Sequence, residues 1–270
     1  MLKKIGGKLK PLSALFSLQG KRALITGSAT GIGKAIAYRL AEAGATLDLI
    51  DINDDQLVVV KDELTAFSVE TRLHKIDLAS RLEITRLWDE LDGTEPDILV
   101  NNAGVYPFKD FLEVDEGFLD NIMEINLKSV FWMCQQMVKR RSRRGGVIIN
   151  IGSIEAILPF KDDLSHYNMS KAGVLALTRA LAKEYGKQGF RINAIVPGGI
   201  ITSGTKNKAK EVLKLNWGLI KSGLDFKTRL PLGRFGHPDE VALIALVLAT
   251  ELSSYVQGAL IPVDGGFLAS

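Results

Sequence analysis

Short apolar strands alternate with amphipathic helices along nearly the whole chain, and this rhythm restricts the fold more than any other feature. Arg22–Thr26 (RALIT) precedes a helix over Gly31–Ala43, and Thr46–Asp51 (TLDLID) precedes a helix from about Asp54 to Phe67. Glu70–Ile76 reads as a third strand. Asp97–Val100 and Val147–Ile151 are buried-type strands separated by a long helical stretch around Glu116–Arg140. A helix over roughly Ser165–Lys187 leads to the strand Arg191–Val196, and a last helix near Pro238–Ala249 leads to Ala259–Val263. Such alternation requires parallel pairing through crossovers, and continuous Val/Ile/Leu strands belong to a sheet covered on both faces. The expected fold is α/β, one doubly wound parallel sheet. With 270 residues and no internal repeat or linker, a single catalytic domain over 16–270 is predicted. Gly199–Arg234 breaks the rhythm; long, lysine-rich and weakly periodic, it predicts a substrate lid at about 199–235.

Composition narrows the function classes. The longest apolar run, Val241–Ala249, is nine residues, too short to span a bilayer, so no membrane partner is expected. The net charge of +3 has a local origin: Lys3, Lys4, Lys8 and Lys10 fall in the first ten residues, and the remaining 30 basic and 31 acidic residues leave −1. The body therefore lacks the excess positive charge of a nucleic-acid binder, and residues 1–15 form a basic extension, flexible or loosely docked. The single cysteine, Cys134, excludes an internal disulfide and fits a cytoplasmic location. His74, His166 and His237 are scattered, so no metal site is predicted and the three are expected at the surface.

A glycine-rich turn, Thr26-Gly27-Ser28-Ala29-Thr30-Gly31-Ile32-Gly33, links the first strand to the first helix. Glycines there allow a tight turn and close approach to a pyrophosphate, and the helix start offers free N–H groups. The spacing is GxxxGxG rather than the more familiar GxGxxG. Asp51 ends the second strand, where an acid can accept hydrogen bonds from adenosine ribose hydroxyls; a helix cap is the other reading, although Asn53 and Asp54 are better placed to cap. Asp77-Leu78 and Asn101-Asn102-Ala103-Gly104 follow strands three and four, at the sheet edge where ligands gather.

Tyr167 and Lys171 lie four apart on a predicted helix, about 6 Å along its axis. A neighbouring ammonium favours phenolate, so the Tyr167 pKa is expected below its free value of about 10, suited to general acid/base work. Ser153 follows strand five at the same sheet edge, where its hydroxyl can bond a reacting oxygen.

Taken together, TGSATGIG at Thr26–Gly33, NNAG at Asn101–Gly104, Ser153, YNMSK at Tyr167–Lys171 and PGGIIT at Pro197–Thr202 resemble the short-chain dehydrogenase/reductase family, over about Phe16–Gly266. The resemblance implies a Rossmann-type sheet of about seven strands. It implies Tyr167 as general acid/base, Ser153 as the substrate-oxygen partner, Lys171 on the nicotinamide ribose, and Asn126 supporting a proton-relay water. It places Gly27, Ser28, Gly31, Ile32 and Gly33 at the pyrophosphate, Asp77 and Leu78 beside the adenine, and Asn102, Ala103 and Gly104 along the cofactor. Pro197, Gly198, Ile200 and Thr202 would border the nicotinamide. Relatives ending like Ile261–Gly266 commonly form homotetramers. Fourteen positions separate Ser153 from Tyr167, about one more than in near relatives, with the extra residue in Pro159–Leu164; that departure concerns the pocket rim.

The function expected is hydride transfer between a nicotinamide cofactor, NAD rather than NADP because of Asp51, and a secondary alcohol or ketone. A 3-oxoacyl-thioester reductase is the alternative within enzymes. The Lys139–Arg144 cluster could serve it by meeting an acidic carrier protein, or could merely complement a helix C-terminus. A nucleotide-sensing scaffold on a retired fold is the alternative of another class, against which stand Asn126, Ser153, Tyr167 and Lys171. Glu155–Leu164, Tyr106–Phe111 and Gly199–Arg234 hold the substrate specificity, which no motif decodes.

Overall fold

The computed structural model describes residues 9–202 and 226–270. Seven parallel strands form one sheet in the order β3-β2-β1-β4-β5-β6-β7. They are β1 Arg22–Thr26, β2 Thr46–Asp51, β3 Thr71–Lys75, β4 Ile98–Asn101, β5 Gly146–Ile151, β6 Phe190–Pro197 and β7 Leu260–Val263. The chain runs outward from β1 to β3, then returns to lay β4 on the other flank of β1. That reversal opens a crevice at the strands' carboxyl ends, the usual ligand position in such sheets. The register sets Thr26 beside Ile50 and Asn101 beside Asn150, so the four strand ends finish at one level.

Alternation of side chains along the strands feeds two main cores, and a third, smaller cluster forms around Ala194 and Val196 of β6 with Phe226 and Phe267. Ala23, Ile25, Ile98, Val100, Ile149 and Ile195 face one side. There they meet Ile36 and Leu40 of α2 (Gly31–Glu42), Leu57 and Val60 of α3 (Asp54–Leu64), and Val241, Ala245 and Leu248 of α8 (Pro238–Ala249). Leu24, Leu99, Ile148 and Ile192 face the other. Their partners are Ile84, Leu87 and Trp88 of α4 (Arg81–Glu90), Met133 and Met137 of α6 (Ser129–Arg141), and Val174 of α7 (Ser165–Tyr185). The apolar run of α8 is thus core packing, with Leu243 exposed at its outer face.

Several local features depart from the sequence reading. No helix was anticipated between β3 and β4, yet α4 occupies Arg81–Glu90, with Ser80 capping by accepting from the Glu83 N–H. The Ser80-x-x-Glu83 spacing is a capping signature that marks this start. The long helix after β4 is not uniform: α5 (Glu116–Met123) passes into α6 through a π-helical turn at Glu124–Lys128. The N-terminal segment is partly docked, with a short helix α1 at Leu12–Phe16, Leu18 buried, and Lys10 paired with Glu251 at 2.6 Å. His166, expected at the surface, is buried: its Nε2 lies 2.9 Å from the Pro107 carbonyl and its ring packs edge-on against Phe118. His74 is mostly buried against Asp48 at 2.9 Å, whereas His237 is exposed, as expected, and caps α8. Residues 203–225, which hold most of the predicted lid and Trp217, lie outside the described residues, as do residues 1–8. Among the described residues no helix is long and apolar enough to cross a membrane, and no His/Cys/Asp/Glu group could hold a metal.

Candidate active site

Gly27 and Gly31 have φ of 62° and 57°, left-handed values that glycine adopts without strain. Space is as restricted as torsion. A Cβ on Gly27 would lie 2.8 Å from the Ala103 Cα, and one on Gly33 would overlap the Gly27 carbonyl. One on Gly31 would meet the Thr202 methyl at 3.2 Å. The turn is therefore a backbone cradle at the start of α2, with Thr202 reaching across its mouth. These residues fit the pyrophosphate of a dinucleotide, bound by N–H groups and the positive helix end.

The cradle is tied to its neighbours by polar contacts. Thr26 Oγ1 accepts from the Asn102 and Ala103 N–H groups, both at 3.0 Å, while Asn102 Nδ2 donates to the Thr26 and Gly27 carbonyls. Asp51 is half-buried against the turn: one carboxylate oxygen accepts from the Ala29 N–H at 3.0 Å, the other from the Asn53 N–H at 3.1 Å. Asn53, not Asp51, caps α3. Ser28, expected to face the cofactor, is turned inward. It is fully buried, and its hydroxyl and N–H both donate to the Ile50 carbonyl, so it fixes the turn to β2. Ile32 is partly buried in the core beneath the cradle. Asp77 accepts from the Ala79 N–H at 2.9 Å, and Leu78 is buried against the opposite core. Pro197 ends β6, the Gly198 N–H donates to Val263, and Ile200 bridges to Gly236.

Four elements converge on the chemical groups. A Cβ on Gly104 would sit 3.2 Å from Asn126 Oδ1 and 3.3 Å from Lys171 Nζ, which places the β4 loop, the π turn and α7 together. Asn126 sits within the π turn, an irregularity frequent at functional positions. Asn126 is fully buried; its Oδ1 accepts from the Val105 N–H at 2.8 Å and its Nδ2 donates to the Val105 carbonyl at 2.9 Å and to Ser170 Oγ at 3.2 Å. Ser170 donates in turn to the Tyr167 carbonyl at 2.7 Å. Lys171 Nζ donates to the Ile151 carbonyl at 2.9 Å. Beneath them a chain from Asn101 through Asn150 to Thr178 locks α7 onto the sheet. In the sequence Thr26, Asn101 and Ser170 stand only as members of motifs and Asn150 only as part of a strand; their bonding roles depend on the strand register, which the sequence does not give.

Ser153 shares a hydrogen bond with Tyr167, and its Oγ also accepts from the Glu155 N–H at 3.2 Å. The Tyr167 ring is edge-on to Tyr106, centroids 4.6 Å apart. The Tyr167 pKa moves up, opposite to the lowering expected from the Lys171 spacing. Burial pushes the phenol up to about 12 against the bond from Ser153, with the Glu155 carboxylate adding to the rise. Burial likewise pushes Lys171 down to about 8. Sharing a dry site disfavours the charged form of each group. The arrangement places a protonated phenol and a serine hydroxyl within hydrogen-bond reach of each other, beside a cradle that fits a dinucleotide.

The basic cluster in the last turn of α6 and just beyond it is largely paired within the fold. Arg140 binds Asp89, Arg141 is buried on Asp97 and the Gly145 and Glu95 carbonyls, and Arg144 binds Glu95 at 2.7 Å.

A family model described as enoyl-(acyl carrier protein) reductase matches residues 27–268. The 2-dehydro-3-deoxy-D-gluconate 5-dehydrogenase of Escherichia coli (strain K12) is 37% identical over 264 residues, covering 94% of this chain and 98% of that protein. The 3-oxoacyl-(acyl-carrier-protein) reductase of Aquifex aeolicus (strain VF5) is 34% identical, covering 92% of this chain and 98% of its own length. Among solved structures, L-sorbose reductase from Gluconobacter frateurii, complexed with NADPH and L-sorbose, superposes with a TM-score of 0.88 at 32% identity, covering 95% of this chain and 99% of that one.

Proposed function

The chain belongs to the short-chain dehydrogenase/reductase family, and from that premise we propose that it interconverts a secondary alcohol and a ketone on a polyhydroxylated small molecule, using NAD(H). The observation that carries this reading is the convergence of Gly104, Asn126 and Lys171 beside the Ser153–Tyr167 hydrogen bond, one crevice away from the glycine cradle. Bound in that cradle, a nicotinamide cofactor supplies or accepts the hydride. Gly27, Gly31, Ile32 and Gly33 would hold its phosphates, Asp51 the adenosine ribose, and Asp77 and Leu78 the adenine. Asn102, Ala103, Gly104, Pro197, Gly198, Ile200 and Thr202 would line the remainder.

In the reduction direction Tyr167 donates its proton to the carbonyl oxygen while Ser153 holds that oxygen by a hydrogen bond. Lys171 orients the nicotinamide ribose and keeps positive charge near the phenol. Asn126 is a positioning residue: its clamp on Val105 holds the β4 loop, and through Ser170 it braces the first turn of α7. Homotetramer formation is part of the reading, supported by the exposed apolar Phe131 on α6 and Met169 on α7.

A sugar or polyol substrate suits the site better than an acyl thioester on a carrier protein. Arg140, Arg141 and Arg144, which would greet an acidic carrier, are engaged with the chain's own carboxylates and carbonyls. A turnover screen with both cofactors should find sugar or polyol ketones reduced at least tenfold faster than acetoacetyl thioesters, judged by kcat/KM. Preference for the thioesters would overturn the substrate assignment.

A further inference from the structure

The rim beside Tyr167 carries a cation that the chemistry above does not use. Lys161 lies on the loop between Ser153 and α7, in the stretch where the sequence runs about one residue long. That loop is built rather than slack. The Glu155 carboxylate, almost fully buried beneath it, accepts from the Phe160 N–H at 3.0 Å and from the Lys161 backbone. Asp163 closes the loop with a φ of 62°, and its carbonyl accepts from the Lys109 N–H at 3.1 Å.

The loop holds the Lys161 ammonium half-buried over two aromatic faces, 5.6 Å from the Tyr106 centroid and 5.5 Å from that of Phe108. Tyr106 is the same ring that packs edge-on against Tyr167. The cation and the reactive phenol therefore flank one side chain, and a single small ligand can touch both. Among the described residues Lys161 makes no ion pair within 4.0 Å and no hydrogen bond through Nζ, unlike Lys109 nearby, which is paired with Asp115. A lysine at a free surface would leave its head in water; this one is drawn over the Tyr106 and Phe108 rings, with Glu155 acting on it only from beyond ion-pair distance.

We propose that Lys161 anchors a carboxylate on the substrate, so that the enzyme acts on sugar acids, reducing or forming a ketone away from the carboxylate end. This rests on the alcohol/ketone reading given above. One ammonium with a carboxylate, Glu155, in the same wall suits a monoanion; a phosphate dianion would leave surplus negative charge there. Glu155 serves as a positioning residue, since its oxygens are spent on the loop backbone that aims Lys161.

The test compares 5-dehydro-D-gluconate with L-sorbose, which carries CH2OH where the first carries the carboxylate. Wild type should favour the acid in kcat/KM by tenfold or more. Lys161→Met should lower kcat/KM for the acid by about tenfold to a hundredfold, chiefly through KM, the loss expected for a charge-assisted hydrogen bond. It should leave L-sorbose within about twofold, and Lys161→Arg should recover most of the loss. Wild-type preference for L-sorbose, or an equal loss on both ketoses in Lys161→Met, overturns the proposal. Calorimetric titration of the acid into protein saturated with NAD+, which cannot reduce it, gives a readout free of turnover. Binding that Lys161→Met abolishes supports the anchor even if no ketone is reduced, the result that would sink the alcohol/ketone reading alone. Absent binding, or binding indifferent to Lys161, sinks the anchor alone.

Discussion

Tyr167→Phe should lower kcat by about a hundredfold to ten-thousandfold, the usual cost of losing a general acid/base, while cofactor affinity stays within about twofold. The substitution removes one hydroxyl and keeps the ring that packs on Tyr106, so the site's shape should survive. The cradle and Asp51 lie on other elements and have no reason to move. Stopped-flow or steady-state rates with parallel NADH titration check this, and a variant retaining more than half the wild-type rate would remove Tyr167 from the mechanism. The pH profile follows from the same environment. With the phenol pushed up to about 12, the proton needed for reduction is present throughout the neutral range. Lys171, pushed down to about 8, is charged below that value and neutral above it. The kcat/KM for reduction should therefore fall as pH rises through about 8.

Asp51→Ala should cut the preference for NADH over NADPH, which in wild type is expected to lie between tens and a thousandfold. The extra phosphate of NADPH carries about −1.5 to −2 charges, and it would approach the half-buried Asp51 carboxylate. Two unit charges at about 4 Å repel by roughly 1 kcal/mol in water and about 4 at an effective dielectric near 20. Among the described residues Lys34 is paired with Glu63 at 2.5 Å, and Arg39 with Asp239 and Glu42, both at 2.6 Å; the exposed Lys75, opposite Asp51 in the register of β3, tempers the repulsion without removing it. Comparing kcat/KM for the two cofactors decides the matter. A wild type that favours NADPH, or a ratio unmoved by the substitution, would take Asp51 off the ribose.

Where the sequence alone was informative, each signal was local. The strand Arg22–Thr26 and the helix Pro238–Ala249 could be read to the residue, because apolar runs bounded by turn residues and a Pro at the helix start are written within a few positions. The order of glycine turn, Asn101–Gly104, Ser153 and Tyr167–Lys171 placed the candidate groups at one sheet edge. What stayed hidden depends on packing. The π turn leaves no mark in the helical period around Asn126, and the inward turn of Ser28 depends on the register of β1 with β2. Burial of His166 follows from the loop at Pro107, far along the chain. The sign of the Tyr167 shift is hidden for the same reason: the spacing of Tyr167 and Lys171 reveals the neighbouring charge, but not the loss of water that outweighs it. The α4 helix is a different kind of omission, since its capping signal at Ser80 and Glu83 is present in the sequence.

The proposed reaction requires direct hydride transfer between nicotinamide and a carbinol carbon, and isotope transfer tests that step most directly. Reduction of a sugar ketone with NADH dideuterated at nicotinamide C4 should give product with one deuterium on the new carbinol carbon, seen by mass spectrometry and proton NMR. Tyr167→Phe should suppress its formation without changing its position. Deuterium released to water, or product reduced without label while the cofactor is oxidised, would contradict the account.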